Sequence, residues 1–212
     1  MTHHEAIEAY ILQHMDEESD YLKALYRQAH VKLINPRMTS GHLQGRLLKM
    51  LVQLARPRRV LEIGTFAGYS ALCMAEGLGE GAKLHTYEID DELEDFTRPW
   101  IENSPYGDKV CLHIGNALNE VPLLGEVFDF VFMDGDKRQY MEYYEMILQH
   151  TSTGALILAD NTLWDGHVVD KAYQNDRQTA AINEFNAFVA ADKRVEKLIL
   201  PLRDGLTMIR KK

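Results

Sequence analysis

Residues 59–70 read RVLEIGTFAGYS: a short apolar run closing on Glu62-Ile63, then Gly64 and Gly68, then the start of a stretch with helical spacing. An apolar run this short, bounded by glycine, fits a buried strand better than a helix. Glycines at a strand-to-helix turn tolerate left-handed backbone, let a ligand come close to the main chain, and place helix N-terminal amides beside it. The unit is strand, tight turn, helix.

Working outward, the same rhythm repeats. Strand-like runs fall at Lys83–Glu88, Val110–Ile114, Phe128–Met133 and 155–159, with amphipathic stretches at 69–79, 91–103, 140–150 and 178–191. Strands that alternate with helices imply parallel pairing through right-handed crossovers, and so an open α/β sheet. The end breaks the rhythm. Val195–Leu200 and 206–210 flank Arg203-Asp204-Gly205, and Asp-Gly between strand-like runs signals a hairpin, so the last strand should run antiparallel.

Upstream, residues 5–29 carry apolar positions at helical spacing, with an acidic break at 16–19 that divides them into two helices. Asn35-Pro36 ends this region, because the residue before proline leaves the helical basin. A further helix is expected over 42–54. The expected organisation is a single domain over 1–212, with a helical cap at 1–56 and an α/β core at 57–212.

The chain carries 32 acidic and 23 basic residues, a formal net charge of -9, which disfavours broad binding to a nucleic-acid backbone. Cys73 and Cys111 sit in apolar runs and read as reduced core residues. No uncharged apolar run approaches the ~20 residues needed to span a bilayer. The start, Thr2-His3-His4-Glu5, has no signal-peptide pattern, so a cytoplasmic enzyme is expected.

The glycine spacing is G-x-x-x-G, not the G-x-G-x-x-G of nicotinamide binders, and Glu62 stands two residues before the first glycine. An anion cradle has no use for that carboxylate, whereas a cofactor bearing an amine and a sulfonium does. Glu88 ends the second strand, where a carboxylate can accept both hydroxyls of a ribose. Alone, the glycines fit a plain βα turn equally well; Glu88 favours a cofactor.

Two further strands end in acids: Asp134-Gly135-Asp136-Lys137 and Asp160-Asn161. If these strands are neighbours, their ends lie ~4.8 Å apart, and Asp134, Asp160 and Asn161 converge. Two carboxylates and an amide oxygen are hard ligands that suit Mg²⁺, or Mn²⁺ or Ca²⁺. The plainer alternative is that these acids cap helices or face solvent. Lys137 either stabilises or accepts a proton from a substrate hydroxyl, or is a surface lysine paired with Asp136.

With LEIGTFAGYS (61–70), Glu88, FDFVFMDGDKRQY (128–140) and LILADNTLW (156–164) in place, the chain resembles the metal-dependent caffeoyl-CoA/catechol O-methyltransferases of the class I S-adenosylmethionine (SAM) type. The resemblance implies a Rossmann-like fold with a seven-stranded, mostly parallel sheet and extra N-terminal helices. It implies that Met38 and Ser40 close over the cofactor, and that Glu62, Gly64, Thr65 and Ser70 hold its methionine part. Glu88 then binds the ribose, and Asn116 and Ala117 lie beside the adenine. Asp134, Asp160 and Asn161 match metal ligands, Lys137 the lysine near the reacting hydroxyl, and Asp134 serves cofactor, metal and catalysis together. Trp164 stands where relatives place an aromatic against the substrate, though a core tryptophan fits as well. A homodimer is also implied.

There are departures. Gly41-His42-Leu43-Gln44-Gly45 replaces a segment in which plant relatives often carry an acid before the glycine, and the loop 165–176 (DGHVVDKAYQND) matches no particular acceptor. The expected reaction is methyl transfer from SAM to a hydroxyl of a small catechol-like molecule. Two rivals stand beside it: methylation of a hydroxylated base in tRNA, and a nicotinamide-dependent oxidoreductase, which fails on glycine spacing and leaves the acid cluster without a use.

Overall fold

The computed structural model describes residues 3–212, with side chains from residue 6 onward; Met1 and Thr2, part of the leader reading, lie outside it. Two helices come first, α1 (His3–Gln13) and α2 (Asp20–Lys32), parted as expected, with the Ser19 side chain accepting from Leu22 N at the start of α2. The cap satisfies an amide that the first turn leaves unpaired. Asn35 is left-handed before Pro36, and α3 (His42–Ala55) follows.

The core alternates: β1 (Arg59–Ile63), α4 (Tyr69–Gly77), β2 (Lys83–Glu88), α5 (Glu94–Glu102), β3 (Val110–Ile114), α6 (Ala117–Leu124), β4 (Phe128–Met133), α7 (Tyr140–Gln149), β5 (Thr151–Asp160), α8 (Arg177–Ala191), β6 (Val195–Leu200) and β7 (Leu206–Lys211). The seven strands form one sheet in the order β3-β2-β1-β4-β5-β7-β6, and β7 alone runs antiparallel to its neighbours. Every expected strand is present.

Two differences have physical causes. Helix α6 falls outside the helical windows read from the sequence because Pro122 lies inside it and Gly125 closes it, both breakers on paper. Asn116 compensates by accepting from Leu118 N at 2.9 Å. Strand β5 begins four residues earlier than read (151, not 155) and carries a register shift opposite Phe128/Phe130, which Ser152-Thr153-Gly154 conceals in the sequence.

Side chains alternate across β4. Phe130 and Phe132 pack with Val60, Leu48 and Met74 under α3 and α4, while Val131 and Met133 pack with Leu61, Tyr144 and Phe185 under α7 and α8. Covering both faces leaves the strands' carboxyl ends as the open edge. Among the described residues no helix is long and apolar enough to cross a membrane. Cys73 and Cys111 are free, the first buried and the second half-buried.

Candidate active site

Strand order reverses between β1 and β4, so their carboxyl ends open a crevice of the kind where open α/β sheets bind ligands. Gly64 and Asp134 meet there. Gly64 N donates to Tyr87 O at 3.0 Å and Asp134 N to Ile63 O at 2.8 Å, so ladder bonding runs past both strand ends. Gly64 has φ +97°, and a Cβ on it would run into the Asp134 carbonyl. Position 64 therefore demands glycine twice over.

Glu88 fixes the loop that follows. Its Oε2 accepts from Phe66 N at 2.7 Å and its Oε1 from Asp90 N at 2.9 Å. Each oxygen keeps a further lone pair for a ligand. Glu62 is fully buried; its Oε2 accepts from Thr86 Oγ1 at 2.5 Å, and its Oε1 has no partner among the described residues. Burial, with the charges of Asp134 and Glu88 added, pushes its carboxyl up to about 8, against the hydrogen bonds of Ser70 and Thr86. A buried carboxyl with an orphan oxygen near two other acids is arranged to receive a cation.

At the end of β5, Asp160 is 4% exposed and forms no ion pair among the described residues. Its Oδ2 accepts from Gln44 Nε2 at 2.6 Å and its Oδ1 from Asn161 N at 2.9 Å. Burial first, then the charge of Asp134, pushes it up to about 6. Asn161 donates through Nδ2 to Asp204 Oδ2 at 3.3 Å, which leaves its amide oxygen without a partner among the described residues. Asn161 is also left-handed at φ 57°, as are Trp164 at 47° and Asp165 at 51°. Strain in consecutive turns of this kind is held by surrounding contacts and gathers at ligand sites.

Lys137 is buried, not a surface lysine paired with Asp136, whose partner is Arg138. Its Nζ donates to Asp134 Oδ1 and to Tyr140 Oη, both at 2.7 Å. Burial pulls its pKa down, but the Asp134 carboxylate and Tyr140 outweigh that, so the ammonium is held above its ordinary value. Tyr140 Oη in turn donates to Asp160 O at 2.8 Å, joining the two acid-bearing strand ends.

A cavity of about 1290 Å³ lies over these groups, roomy enough for two small ligands together. Met38, Gly64, Glu88, Asn116, Ala117, Asp134, Lys137, Asp160, Asn161 and Trp164 line it. Ser40, Thr65 and Ser70 line a small recess that shares Met38, Gly64 and Asp134 with the cavity, while Glu62 lies in neither wall. Trp164 lines the cavity and packs, partly buried, against the core.

Sequence reasoning passed over Gln44, Tyr140, Arg203 and Asp204. Gln44 stood only as a departure and Arg203-Asp204-Gly205 only as a hairpin. The one available signal was a charged pair in a turn on the same sheet edge as the acids.

The profile of the O-methyltransferase family matches residues 12–212. The chain belongs to that family. Caffeoyl-CoA O-methyltransferase 1 of Eucalyptus globulus is 32% identical across 95% of this chain and 88% of its own length. Tricin synthase 1 of Oryza sativa subsp. japonica is 36% identical over 82% of this chain and 75% of its own. Among solved structures, the Bacillus cereus O-methyltransferase in complex with SAH is 30% identical, with a TM-score of 0.89 and coverage of 98% and 97% of the two chains. The tomaymycin-synthesis O-methyltransferase TomG of Streptomyces achromogenes, in complex with SAM, gives 0.91 at 27% identity over 100% of both. This O-methyltransferase is a SAM-dependent enzyme of the caffeoyl-CoA type, and its Rossmann-like sheet is the family's.

Proposed function

We propose that this enzyme methylates a hydroxyl of a small, catechol-like acceptor, with a divalent cation, Mg²⁺ in the first instance, held by Asp134, Asp160 and Asn161. The observation that carries the proposal is Asp160: a buried carboxylate that, among the described residues, has no ion pair and stands beside Asp134 and an amide oxygen without a partner. Among the described residues no three His, Cys, Asp or Glu gather into a cluster; the donors proposed here are two carboxylates and one amide. That set is oxygen-only and suits a hard cation with positions left for ligands. When bound, such a cation lowers the pKa of a hydroxyl it coordinates.

SAM supplies the methyl group on a sulfonium. Glu62, with its orphan oxygen, meets the charge of the donor's amine, and Gly64, Thr65 and Ser70 shape the recess for its methionine part. Glu88 accepts from the ribose, Asn116 and Ala117 border the adenine, and Met38 and Ser40 close the near side. Lys137 already holds its proton through Asp134 and Tyr140, so it serves as a donor to the acceptor's oxyanion and not as the base. Trp164 forms the acceptor's apolar wall. Much of the rate then comes from holding oxygen and methyl in line within a closed cavity.

The test is calorimetry with SAH and a simple catechol, each with and without Mg²⁺. Catechol that binds only when the metal is present supports the proposal. Catechol binding of equal strength in chelator removes the metal from it and leaves the SAM-dependent O-methyltransferase intact.

A further inference from the structure

Gln44 lies in the first turn of α3, 1% exposed, and its carboxamide bridges two distant parts of the chain. Its Nε2 donates to Asp160 Oδ2 at 2.6 Å, and its Oε1 accepts from Arg203 Nη1 at 3.0 Å. A guanidinium can only donate and an ionised carboxylate can only accept, so the amide fits in one orientation. Arg203 belongs to the β6–β7 turn, with φ 48°. Its Nη1 also donates to Ser40 O, and its Nη2 to Thr39 O at 3.5 Å. The neighbouring Asp204 holds the Asn161 amide through Oδ2 and accepts from Leu163 N at 2.7 Å through its carbonyl. One turn thus reaches both polar residues at the end of β5, Asp204 directly and Arg203 through Gln44.

We infer that Gln44 is a positioning residue for the cation site: held in orientation by Arg203, it fixes the rotation of the Asp160 carboxylate. This rests on the metal reading above. Asp160 Oδ1 is already tied to the Asn161 amide, so Gln44 is the contact that anchors the other oxygen. Groups that orient a ligating side chain without touching the metal commonly govern its affinity. Arg203 does more than Gln44, because it also ties Thr39 and Ser40, which line the donor recess.

The full-length protein is titrated calorimetrically with Mn²⁺, and separately with SAH in metal-free buffer, as wild type, Gln44→Met and Arg203→Met. Gln44→Met is expected to weaken Mn²⁺ binding about 10-fold or more, while SAH affinity stays within about twofold. Arg203→Met is expected to weaken Mn²⁺ binding about threefold and to weaken SAH as well. A merely structural role for Gln44 predicts that both ligands fall together. The inference is overturned by wild-type Mn²⁺ affinity in Gln44→Met, or by an equal loss of SAH. Wild-type protein that binds no Mn²⁺ overturns it together with the metal reading; binding that ignores Gln44 overturns it alone. Should Gln44→Met not fold, Gln44→Asn, which keeps the amide but is one carbon too short to reach both Asp160 and Arg203, decides the matter, with unchanged Mn²⁺ affinity or an equal loss of SAH as the refuting result.

Discussion

The donor side and the acceptor side proposed for the cavity are built differently. On the donor side, Gly64, Glu88 and the Phe66 amide are set by strand ends and one loop, through contacts about 20 residues apart in sequence, such as Glu88 to Phe66 at a separation of 22. On the acceptor side, Asp160 is held by Gln44 across a separation of 116, and Gln44 by Arg203 across 159. The first arrangement follows from the strand–turn–helix unit itself. The second exists only once the last hairpin has closed onto the N-terminal helices. Local construction yields a rigid cradle, and long-range construction makes the site's geometry depend on the whole chain.

The sharpest way to break this division is Asp160→Ala. If Asp160 ligates the proposed cation, which would stabilise several kcal/mol of developing charge, its loss should lower kcat/KM by about 1000-fold, with SAH affinity near wild type. A matching loss of SAH affinity would show that the two sides are one.

Glu62→Gln tests the donor side through pH. The carboxyl of Glu62 has a folded-state pKa of about 8 against an ordinary 4.5, so between those values the folded chain binds more protons than the unfolded one. Stability of donor-free protein therefore falls as pH rises through that window, and the loss is complete above it. Glutamine cannot ionise, so the variant should gain on wild type from pH 5 to pH 9, reaching a few kcal/mol by thermal or urea unfolding. Parallel curves would mean that Glu62 titrates normally. The same substitution should weaken SAH, since the donor's ammonium loses its carboxylate.

Gly64→Ala places a Cβ against the Asp134 carbonyl at φ +97° and should cost about 3 kcal/mol in urea unfolding. Gly166, at φ +78° in the loop after Trp164, has nothing within 4 Å of its would-be Cβ, so Gly166→Ala should cost only about 1 kcal/mol. Equal costs would deny that the donor cradle is the tighter of the two.

The same division explains what the sequence disclosed. Gly64, Glu62, Glu88, Asp134 and Asp160 are legible because each occupies a fixed offset from a strand end, and strand ends show in the apolar pattern. The seven strands and the antiparallel β7 follow from the same pattern and from Asp204-Gly205. Gln44 and Arg203 were illegible because neither stands at such an offset; their meeting depends on how a hairpin and a helix pack. Tyr140 stood only as the end of the segment 128–140 and the start of a helical stretch; it is fully buried, and its hydroxyl does polar work that no spacing announces. Helix α6 escaped because the propensity cost of Pro122 is visible in one dimension while its tertiary packing is not.

Tyr140→Phe probes the seam between the sides and should have the smallest effect among the site residues. The hydroxyl accepts from Lys137 Nζ at 2.7 Å and donates to the Asp160 carbonyl at 2.8 Å. Removing it takes one hydrogen bond from that carbonyl and one from the ammonium, a cost of about 1–2 kcal/mol in stability. The phenyl ring keeps its packing against Phe185, so the fold persists. Lys137 then has one anchor instead of two, and its tip can swing away from the oxyanion position. A fall in kcat of about 10-fold is expected, with little change in SAH affinity, because no donor-side residue touches the hydroxyl. If SAH affinity falls as far as kcat, Tyr140 carries strain from one side to the other, and the two sides are not independent.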